Sequence, residues 1–400
     1  MNKPLRIAFV HPSLGLGGAE RLVVDAARSL EGLGHKTTIF TGRWEPENAF
    51  AETRELDVRV VPTRVPESVA GRLIAPANVL RMRRIARKLA AERGSYDVAV
   101  CDLTAHIVPE LRASLGVPVA FYCHYPDTLL TGRDHTGVYG WYRKPIDAAE
   151  LRGLESADCV LVNSAFTARQ YEDAFPEAQP PRVLYPGADT GLYADIAPMR
   201  DSQEIVLLSV NRFRAAKSIG RAVEALAALS EFVPEATLRR VRLVLAGGYH
   251  EAAPDAVDTL SRLREQVARL GLSDNVEWVL NPGEPERLAL LERARCLVYT
   301  PSNEHFGLGP IEAMAAGRPV VAVNSGGPIE TIGDGETGRL CGPDAAAMGE
   351  ALSRYVNSLA TAREHGLAGR ARVQERFSLE RFRDLLGEVL VGLVESGSSQ

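Results

Sequence analysis

The sequence is poor in cysteine, in aromatic residues and in long apolar runs. Its 400 residues include five cysteines, which are scattered with no Cys-x-x-Cys pair, and 6% aromatic residues. This spacing argues against a disulfide framework or a zinc site and is typical of a reducing compartment. No apolar stretch approaches the ~18 residues of a membrane-spanning helix, and the run Ile7 to Val10 is too short for a signal peptide. We expect a cytoplasmic protein, soluble or at most peripheral on the cytoplasmic membrane face.

The chain also has no strong charge imbalance. Its net charge is −5, which argues against nucleic acid as a partner, because such proteins usually carry a basic surface. Four hundred residues exceed one ordinary hydrophobic core, so two domains of similar size are expected.

Short apolar runs alternate with helical patterns along the chain, which predicts doubly wound parallel sheets of the α/β class. A turn-rich segment from Pro186 to Ser202 is predicted to be the linker between two such sheets. The predicted strands are Leu5–Val10, Thr37–Thr41, Val58–Val61, Asp97–Cys101, Val117–Tyr122, Cys159–Val162 and Arg182–Tyr185 before the linker. After it they are Ile205–Val210, Val241–Ala246, Val276–Val279, Cys296–Tyr299, Val320–Val323 and Arg339–Cys341.

The most informative stretch runs from Tyr299 to Met314. Two carboxylates, Glu304 and Glu312, lie eight positions apart, the first in a loop and the second in a predicted helix from Pro310 to Ala316. Proline suits the first position of that helix. The free N–H groups of a helix N-terminus favour an anion, and carboxylates on either side of it can hold hydroxyls. A sugar, a diphosphate and a ribose in sequence would fit this pattern.

This stretch resembles the donor-site signature of the retaining glycosyltransferases of family 4, which have the GT-B fold. Within the family it is most similar to the α-1,3/1,6-mannosyltransferases of dolichol-linked oligosaccharide assembly. The resemblance covers nearly the whole chain and implies two Rossmann-like domains facing one another across a cleft. Residues 1–188 would bind the acceptor and residues 189–377 the nucleotide-sugar donor. Residues 378–400 would form a helix crossing back to the first domain and a short tail.

Two cations and three glycines are candidates for contact with the donor diphosphate. Arg212 and Lys217 match the family's Arg-x4-Lys pair, which implies that they stabilise the negative charge on the departing phosphate. Gly17 and Gly18 follow the first strand, where the glycines suit either a phosphate contact or simply a tight turn. Gly247, at the end of a later strand, would let the nucleotide approach closely. A second turn of this kind, Gly326-Gly327, predicts another anion cradle.

The resemblance also implies the remaining donor contacts and the reaction. Glu304 and the backbone N–H groups just after it, in the stretch of His305, Phe306, Gly307 and Leu308, would orient the transferred sugar, and Glu312 would bind the ribose. The implied reaction transfers an α-mannosyl residue from GDP-mannose with retention, without a covalent nucleophile, a metal or another cofactor. No Asp-x-Asp metal signature lies near a predicted strand end, which agrees with metal independence.

The first domain supplies the candidate contacts to the acceptor and to the sugar. His124 follows a predicted strand end, where ligands bind in open α/β sheets, and the resemblance implies that it contacts the transferred sugar as a catalytic residue. Asp127 and Tyr125 are candidates for acceptor binding, with Asp127 orienting either His124 or the acceptor. The polar and aromatic loop 131–141 would border the acceptor site.

A basic amphipathic helix is predicted from Asn78 to Arg93. Its arginines would rest on an anionic membrane, or its apolar face would pack on the sheet and leave the arginines solvated. The acceptor would be a glycan, for example a polyprenyl- or dolichyl-diphosphate-linked oligosaccharide. The alternatives are another GDP- or UDP-sugar donor used for a bacterial polysaccharide or glycolipid, a GT-B epimerase or phosphorylase, and a non-catalytic nucleotide-sugar binding module.

Overall fold

The structure is a computed structural model that describes residues 3–63, 65, 74–130 and 137–397. It consists of two compact units. The first unit comprises Met1–Gly187 together with Leu379–Gln400, and the second comprises Ala188–Ser378.

The first unit is built on a parallel sheet of seven strands in the part of the chain that the structure describes, in the order β3-β2-β1-β4-β5-β6-β7. The strands are β1 Arg6–His11, β2 Lys36–Thr41, β3 Val58–Val60, β4 Val98–Asp102, β5 Val119–Cys123, β6 Cys159–Val162 and β7 Arg182–Val183. In register, His11 pairs with Thr41 on one side of β1 and Val10 pairs with Cys101 on the other.

Helices cover both faces of this sheet. They are α1 Gly18–Gly32, α2 Ile74–Lys88, α3 Val108–Leu115, α4 Asp127–Leu130, α5 Gly137–Ser156, α6 Ala165–Ala174 and, from the end of the chain, α15 Leu379–Gly397. Successive strand residues point to opposite faces, so Ile7 and Phe9 pack in the core with α1 and α15. Ala8 and Val10 pack in the core with α2 and α3. Burial on both faces explains the continuous apolar runs in the sequence.

The second unit has a parallel sheet of six strands among the described residues, in the order β10-β9-β8-β11-β12-β13. These strands are β8 Ile205–Val210, β9 Val241–Gly247, β10 Val276–Leu280, β11 Ala294–Tyr299, β12 Val320–Val323 and β13 Gly338–Cys341. Its helices are α7 Gly220–Ala228, α8 Glu235–Leu238, α9 Pro254–Arg269, α10 Glu284–Arg293, α11 Leu308–Ala315, α12 Pro328–Thr331, α13 Ala345–Asn357 and α14 Leu359–Arg376. The unit has its own hydrophobic core.

The predicted α/β class is confirmed, but three local predictions are wrong. Helix α11 begins at Leu308, not at Pro310, and Gly307 precedes it in the left-handed region at φ 89°. The segment 131–141 is not a loop throughout, because α5 begins at Gly137; residues 131–136 lie outside the described part. The α-helical part of the basic segment is Ile74–Lys88, and a 3₁₀ turn, Leu89–Glu92, follows it.

The apolar face of α2 belongs to the core of the first unit. Met82, Ile85 and Ala86 are fully buried there. Arg83 forms an ion pair with Glu110 at 2.9 Å, whereas Arg84 and Arg87 are exposed. The packing interpretation therefore accounts for the amphipathic pattern, and the exposed basic residues remain for contact with a membrane surface. No helix among the described residues is long and apolar enough to cross a membrane.

Candidate active site

In the second unit, the candidate residues gather at the carboxyl ends of β8 and β11. These two strands are neighbours in the sheet, and the strand order proceeds outward from them in opposite directions. Open α/β sheets bind their ligands at such a switch point, beyond the carboxyl ends of the strands. Arg212 and Lys217 follow β8, and Glu304 follows β11. The fold thus brings the predicted cations and the first predicted carboxylate to one sheet edge.

Lys217 and Glu304 are in direct contact. The ammonium group of Lys217, at the end of the 3₁₀ turn Ala215–Lys217, donates a hydrogen bond to the Glu304 carboxylate. Their side chains are 27% and 24% exposed, so both can meet a ligand. The Thr300 hydroxyl donates to the carbonyl oxygen of Lys217 at 2.8 Å, which ties the lysine loop to the end of β11. Because an ammonium group has three donors, Lys217 can hold Glu304 and an anion together.

Arg212 is an exposed cation that follows the same strand as Lys217. Its guanidinium has no hydrogen bond or ion pair to any other residue that the structure describes. The backbone on both sides of it is fixed, because the Asn211 N–H donates to Ala246 and the Phe213 N–H donates to Gly248, each at 2.9 Å. A positioned cation without a protein anion suits a negatively charged ligand.

Gly247 is required by a contact within the protein. Its φ is 148°, and a Cβ there would lie 1.9 Å from the carbonyl oxygen of Asn211. A side chain would therefore push β9 away from the Arg212 loop. This contact explains the glycine without a ligand, and the predicted approach of the nucleotide to Gly247 stays a prediction.

Glu312 lies on α11, where it faces a cation that the sequence analysis missed. Arg287 of α10 donates to the Glu312 carboxylate at 3.2 Å. The buried Tyr193 is near the same carboxylate: burial raises the pKa of its hydroxyl, and the Glu312 charge raises it further. A half-exposed carboxylate held by an arginine can accept hydrogen bonds from two neighbouring hydroxyls, as the predicted ribose contact requires.

Tyr299, the last residue of β11, lies beneath the motif. It is 4% exposed, and its ring packs where a Cβ on Gly307 or Gly309 would come within 3.5 Å of it. Burial raises the pKa of its hydroxyl well above the usual range, and the adjacent Glu304 carboxylate raises it further. The ring therefore supports the loop that carries Glu304 and limits how closely that loop can approach β11. The sequence analysis placed Tyr299 at the start of the motif but assigned it no role.

The Gly326-Gly327 turn supports the same loop from the other side. A Cβ on Gly326 would lie 2.4 Å from the Glu304 carbonyl oxygen, and one on Gly327 would lie 2.4 Å from the Phe306 Cα. The Gly327 N–H donates to that Glu304 carbonyl at 2.7 Å. The Gly327 N–H is therefore already bonded within the protein, and the second anion cradle stays a prediction. Phe306 is buried and packs edge-on against Phe377 at 5.9 Å, so its ring does not face a ligand; His305 and Leu308 are half-buried beside it.

In the first unit, Gly17 caps α1 and Gly18 opens it. A Cβ on Gly17 would lie 2.2 Å from a carboxylate oxygen of Glu20, whereas nothing lies within 4 Å of one on Gly18. Glu20 thus folds back over the helix N-terminus, the place expected for the donor diphosphate. Glycine at position 17 therefore makes room for the Glu20 carboxylate. Of the two glycines, only Gly18 has open space around it for a ligand.

His124 follows β5, and its partner is not the expected one. Its Nε2 lies 3.1 Å from Asp102 Oδ2, and the other oxygen of Asp102 lies 2.7 Å from His11 Nδ1. Asp127 does not orient His124: its carboxylate accepts from Arg143 at 2.9 Å. The Tyr125 hydroxyl lies 3.4 Å from Gln170 Oε1. His11 and Asp102 were missed, although each ends a buried strand with a polar residue.

Glu150 of α5 is a buried carboxylate beneath this part of the first unit. It accepts the backbone N–H groups of Asp127 and Thr128 at 2.8 and 3.1 Å and so holds the start of α4. Burial raises its pKa to about 7, and the neighbouring carboxylates Asp127 and Asp147 add to the rise. Its charge therefore changes near neutral pH.

Comparisons with known proteins agree with this architecture in both units. Residues 16–192 match the model of Glycosyltransferase Family 4, and residues 197–372 match that of Glycosyl transferases group 1. The alpha-1,3/1,6-mannosyltransferase ALG2 of Homo sapiens is 39% identical over 394 residues, which cover 95% of this chain and 94% of the human protein. The ALG2 protein of Mus musculus is 36% identical over 400 residues, 97% of this chain and 96% of the mouse protein.

Among solved structures, the sucrose-phosphate synthase of Thermosynechococcus elongatus superposes with a TM-score of 0.79 at 23% identity, covering 98% of this chain and all of that one. This likeness extends over both parallel sheets and identifies the architecture as GT-B. Together with the family models and the ALG2 relatives, it confirms the resemblance that the Glu304 motif indicated. The chain belongs to glycosyltransferase family 4.

Proposed function

We propose that this chain is a retaining mannosyltransferase that moves an α-mannosyl residue from GDP-mannose to a hydroxyl of an oligosaccharide, forming α-1,3 linkages, α-1,6 linkages or both. The observation that carries the sugar and the linkages is the 39% identity to human ALG2 across 95% of the chain. The observation that carries the chemistry is the Lys217–Glu304 pair, together with Arg212 on the same loop, which has no anionic partner among the described residues.

Departure of the sugar leaves negative charge on the donor diphosphate. Arg212 and Lys217 stabilise that charge, and charge-assisted hydrogen bonds of this kind contribute roughly 1.5–3 kcal/mol each. Their backbone is fixed before the donor arrives, so little reorganisation accompanies the reaction. Glu304 orients the sugar and simultaneously holds Lys217. Glu312, held by Arg287, accepts the ribose hydroxyls.

The proposed reaction needs neither a covalent nucleophile nor a metal. The acceptor hydroxyl attacks on the face from which the diphosphate leaves, and a phosphate oxygen takes its proton. The protein supplies positioning and charge. Measuring the anomeric configuration of the first product by NMR tests retention, and an inverted product would exclude this path.

The acceptor we propose is a polyprenyl- or dolichyl-diphosphate-linked oligosaccharide at the cytoplasmic membrane face. Arg84 and Arg87, exposed on α2, are the residues that would meet anionic headgroups. Replacing both by alanine should weaken co-sedimentation with phosphatidylserine vesicles, whereas replacing Arg262 and Arg269 on α9 should not. Equal co-sedimentation of both double variants would exclude α2 as the docking element.

Calorimetric titration with GDP-mannose, GDP, UDP-glucose and UDP-N-acetylglucosamine, with and without EDTA, tests the donor. We expect binding of the GDP compounds alone, unchanged by EDTA. Preference for the UDP compounds would overturn the mannosyl donor but keep a family 4 transferase. Binding without turnover on any mannosylated acceptor would favour a nucleotide-sugar binding module.

A further inference from the structure

A buried cluster of His11, Asp102 and His124, here called the His–Asp–His cluster, lies at the carboxyl edge of the first sheet. Its members come from three adjacent strands, because β1, β4 and β5 are neighbours and each supplies the residue at or just beyond its end. Asp102 stands in the middle, with one oxygen 2.7 Å from His11 Nδ1 and the other 3.1 Å from His124 Nε2. The side chains of His11 and Asp102 are 1% and 2% exposed, and that of His124 is 19% exposed.

The charges within the cluster follow from its contacts. Burial alone would raise the pKa of Asp102, but His11 and then His124 hold it below its usual value. Burial alone would lower the pKa of His11, but the Asp102 charge more than offsets this, and Glu20 adds to the rise. Asp102 is thus a carboxylate whose counter-charge comes from His11. A buried pair of this kind is strongly disturbed when one member is removed.

An ionised carboxylate only accepts hydrogen bonds, so both facing ring nitrogens must carry hydrogen. His124 therefore donates through Nε2–H, and the partner of one ring nitrogen decides the state of the other. In the neutral ring, Nδ1 is then an acceptor. Nδ1 has no hydrogen-bond partner among the described residues and is not a buried atom, unlike the unpartnered Nε2 of His11.

The ring of His124 has little freedom to turn. It packs against Tyr122 with ring centroids 5.0 Å apart and an interplanar angle of 57°. Its backbone carbonyl accepts from the Asn163 side chain at 3.0 Å. With Nε2 bound to Asp102, the ring presents one accessible acceptor atom in one direction.

We propose that Asp102, paired with His11, is a positioning residue that fixes the Nε2–H tautomer of His124, so that His124 Nδ1 accepts a hydrogen bond from a hydroxyl of the bound sugar substrate. This inference rests on the proposed function, because it takes His124 as a substrate contact. His11 does not touch the substrate in this arrangement, since both it and its free nitrogen are enclosed. Its task is to keep Asp102 an acceptor.

The first test needs no substitution at Asp102. The protein labelled with ¹⁵N-histidine is measured by NMR, with His124→Gln and His11→Gln used to assign two of its eight histidines. We expect His124 to hold the hydrogen on Nε2 in the free protein and its Nδ1 signal to move on addition of GDP-mannose. The hydrogen found on Nδ1 would overturn the proposal.

The second test uses Asp102→Asn, whose amide can donate as well as accept. We expect a mixture of His124 tautomers and a 10- to 100-fold fall in kcat/KM, about the effect of one substrate hydrogen bond, with GDP affinity unchanged. Asp25→Asn, which removes a carboxylate paired with Arg21 on α1, is the matched control and should retain both tautomer and kcat/KM. A variant Asp102→Asn with the wild-type kcat/KM would overturn the proposal. Failure of the wild-type protein to use any mannosyl donor would instead refute the proposed function, while the tautomer result would stand.

Discussion

At the scale of single residues, the clearest feature of the proposed donor site is that one cation is paired with a carboxylate and the other is not. Lys217 is bonded to Glu304, whereas Arg212 has no anionic partner among the residues that the structure describes. Glu304 balances the charge of Lys217 in the free protein, and we expect the donor diphosphate to take over part of this role.

Replacing Lys217 by alanine should therefore lower kcat by at least ~10²-fold, about the effect of removing one donor from a developing oxyanion. Arg214→Ala is the matched control, because Arg214 is an exposed arginine on the same loop outside the Arg-x4-Lys pair. We expect it to leave kcat within a few fold. The measurement is a steady-state transfer assay. Equal losses of kcat in both variants would mean that only the overall positive charge of the loop matters and that Lys217 makes no specific contact with the donor diphosphate.

Gly247 gives a second prediction at this scale. Gly247→Ala would place a Cβ at 1.9 Å from the Asn211 carbonyl with φ at 148°, and strain of this kind costs on the order of 1–3 kcal/mol. Gly248→Ala is the control, since its nearest neighbour would be the Arg212 side chain at 3.6 Å. Chemical denaturation should show a large loss for the first variant only. Equal stabilities would contradict the steric explanation.

At the scale of elements, the sequence predicted the strands well, because buried parallel strands are short apolar runs with polar residues at their ends. It also placed Arg212, Lys217 and Glu304 after two strands that the structure shows to be neighbours. What it missed depends on contacts between distant segments. Arg287 reaches Glu312 from another helix, and Asp102 lies 91 positions from His11. The start of α11 was also misplaced. Pro310 predicted the first turn, but the helix begins two residues earlier, at Leu308, where Gly307 precedes it and the Tyr299 ring packs against it.

The junction of α4 and α5 should make stability depend on pH. Because the pKa of Glu150 is raised to about 7 in the folded protein from an ordinary 4.5, the folded state retains a proton that the unfolded chain has lost between these values. Stability contributed by the protonated group is therefore lost as pH rises from 4.5 to 7. The charged groups around it are Asp127, Asp147 and Arg143, which pairs with both carboxylates. The Cys123 thiol and the Tyr171 hydroxyl also face it and stay neutral, because burial raises the pKa of each.

The variant Glu150→Gln replaces the carboxyl group by an amide that stays neutral at every pH in this range. We expect its Tm to rise relative to that of the wild type as the pH goes from 5 to 8, measured by differential scanning calorimetry. Glu155→Gln, an exposed position on the same helix, should show a Tm difference that does not change with pH. A constant difference for Glu150→Gln as well would mean that Glu150 titrates normally.

At the scale of the whole molecule, the two units differ in how the chain builds them. The second unit is one continuous stretch, Ala188–Ser378, whereas the first needs Leu379–Gln400 from the end of the chain. Helix α15 contributes Phe382, Leu386, Val389 and Leu390 to the core around α1. At about 1.5–3 kcal/mol for each buried side chain, the four together contribute about 6–12 kcal/mol. That is comparable with the entire stability of a typical domain.

A chain that ends at Ser378 should therefore lose the fold of its first unit and keep that of its second. Hydrogen exchange followed by mass spectrometry would show this as rapid exchange in β1, β4 and β5, with β8, β9 and β11 still protected. A chain that ends at Gly397 is the control and should exchange like the full-length protein. Retained protection of β1 in the shorter chain would mean that α1 and the sheet hold the first core without α15.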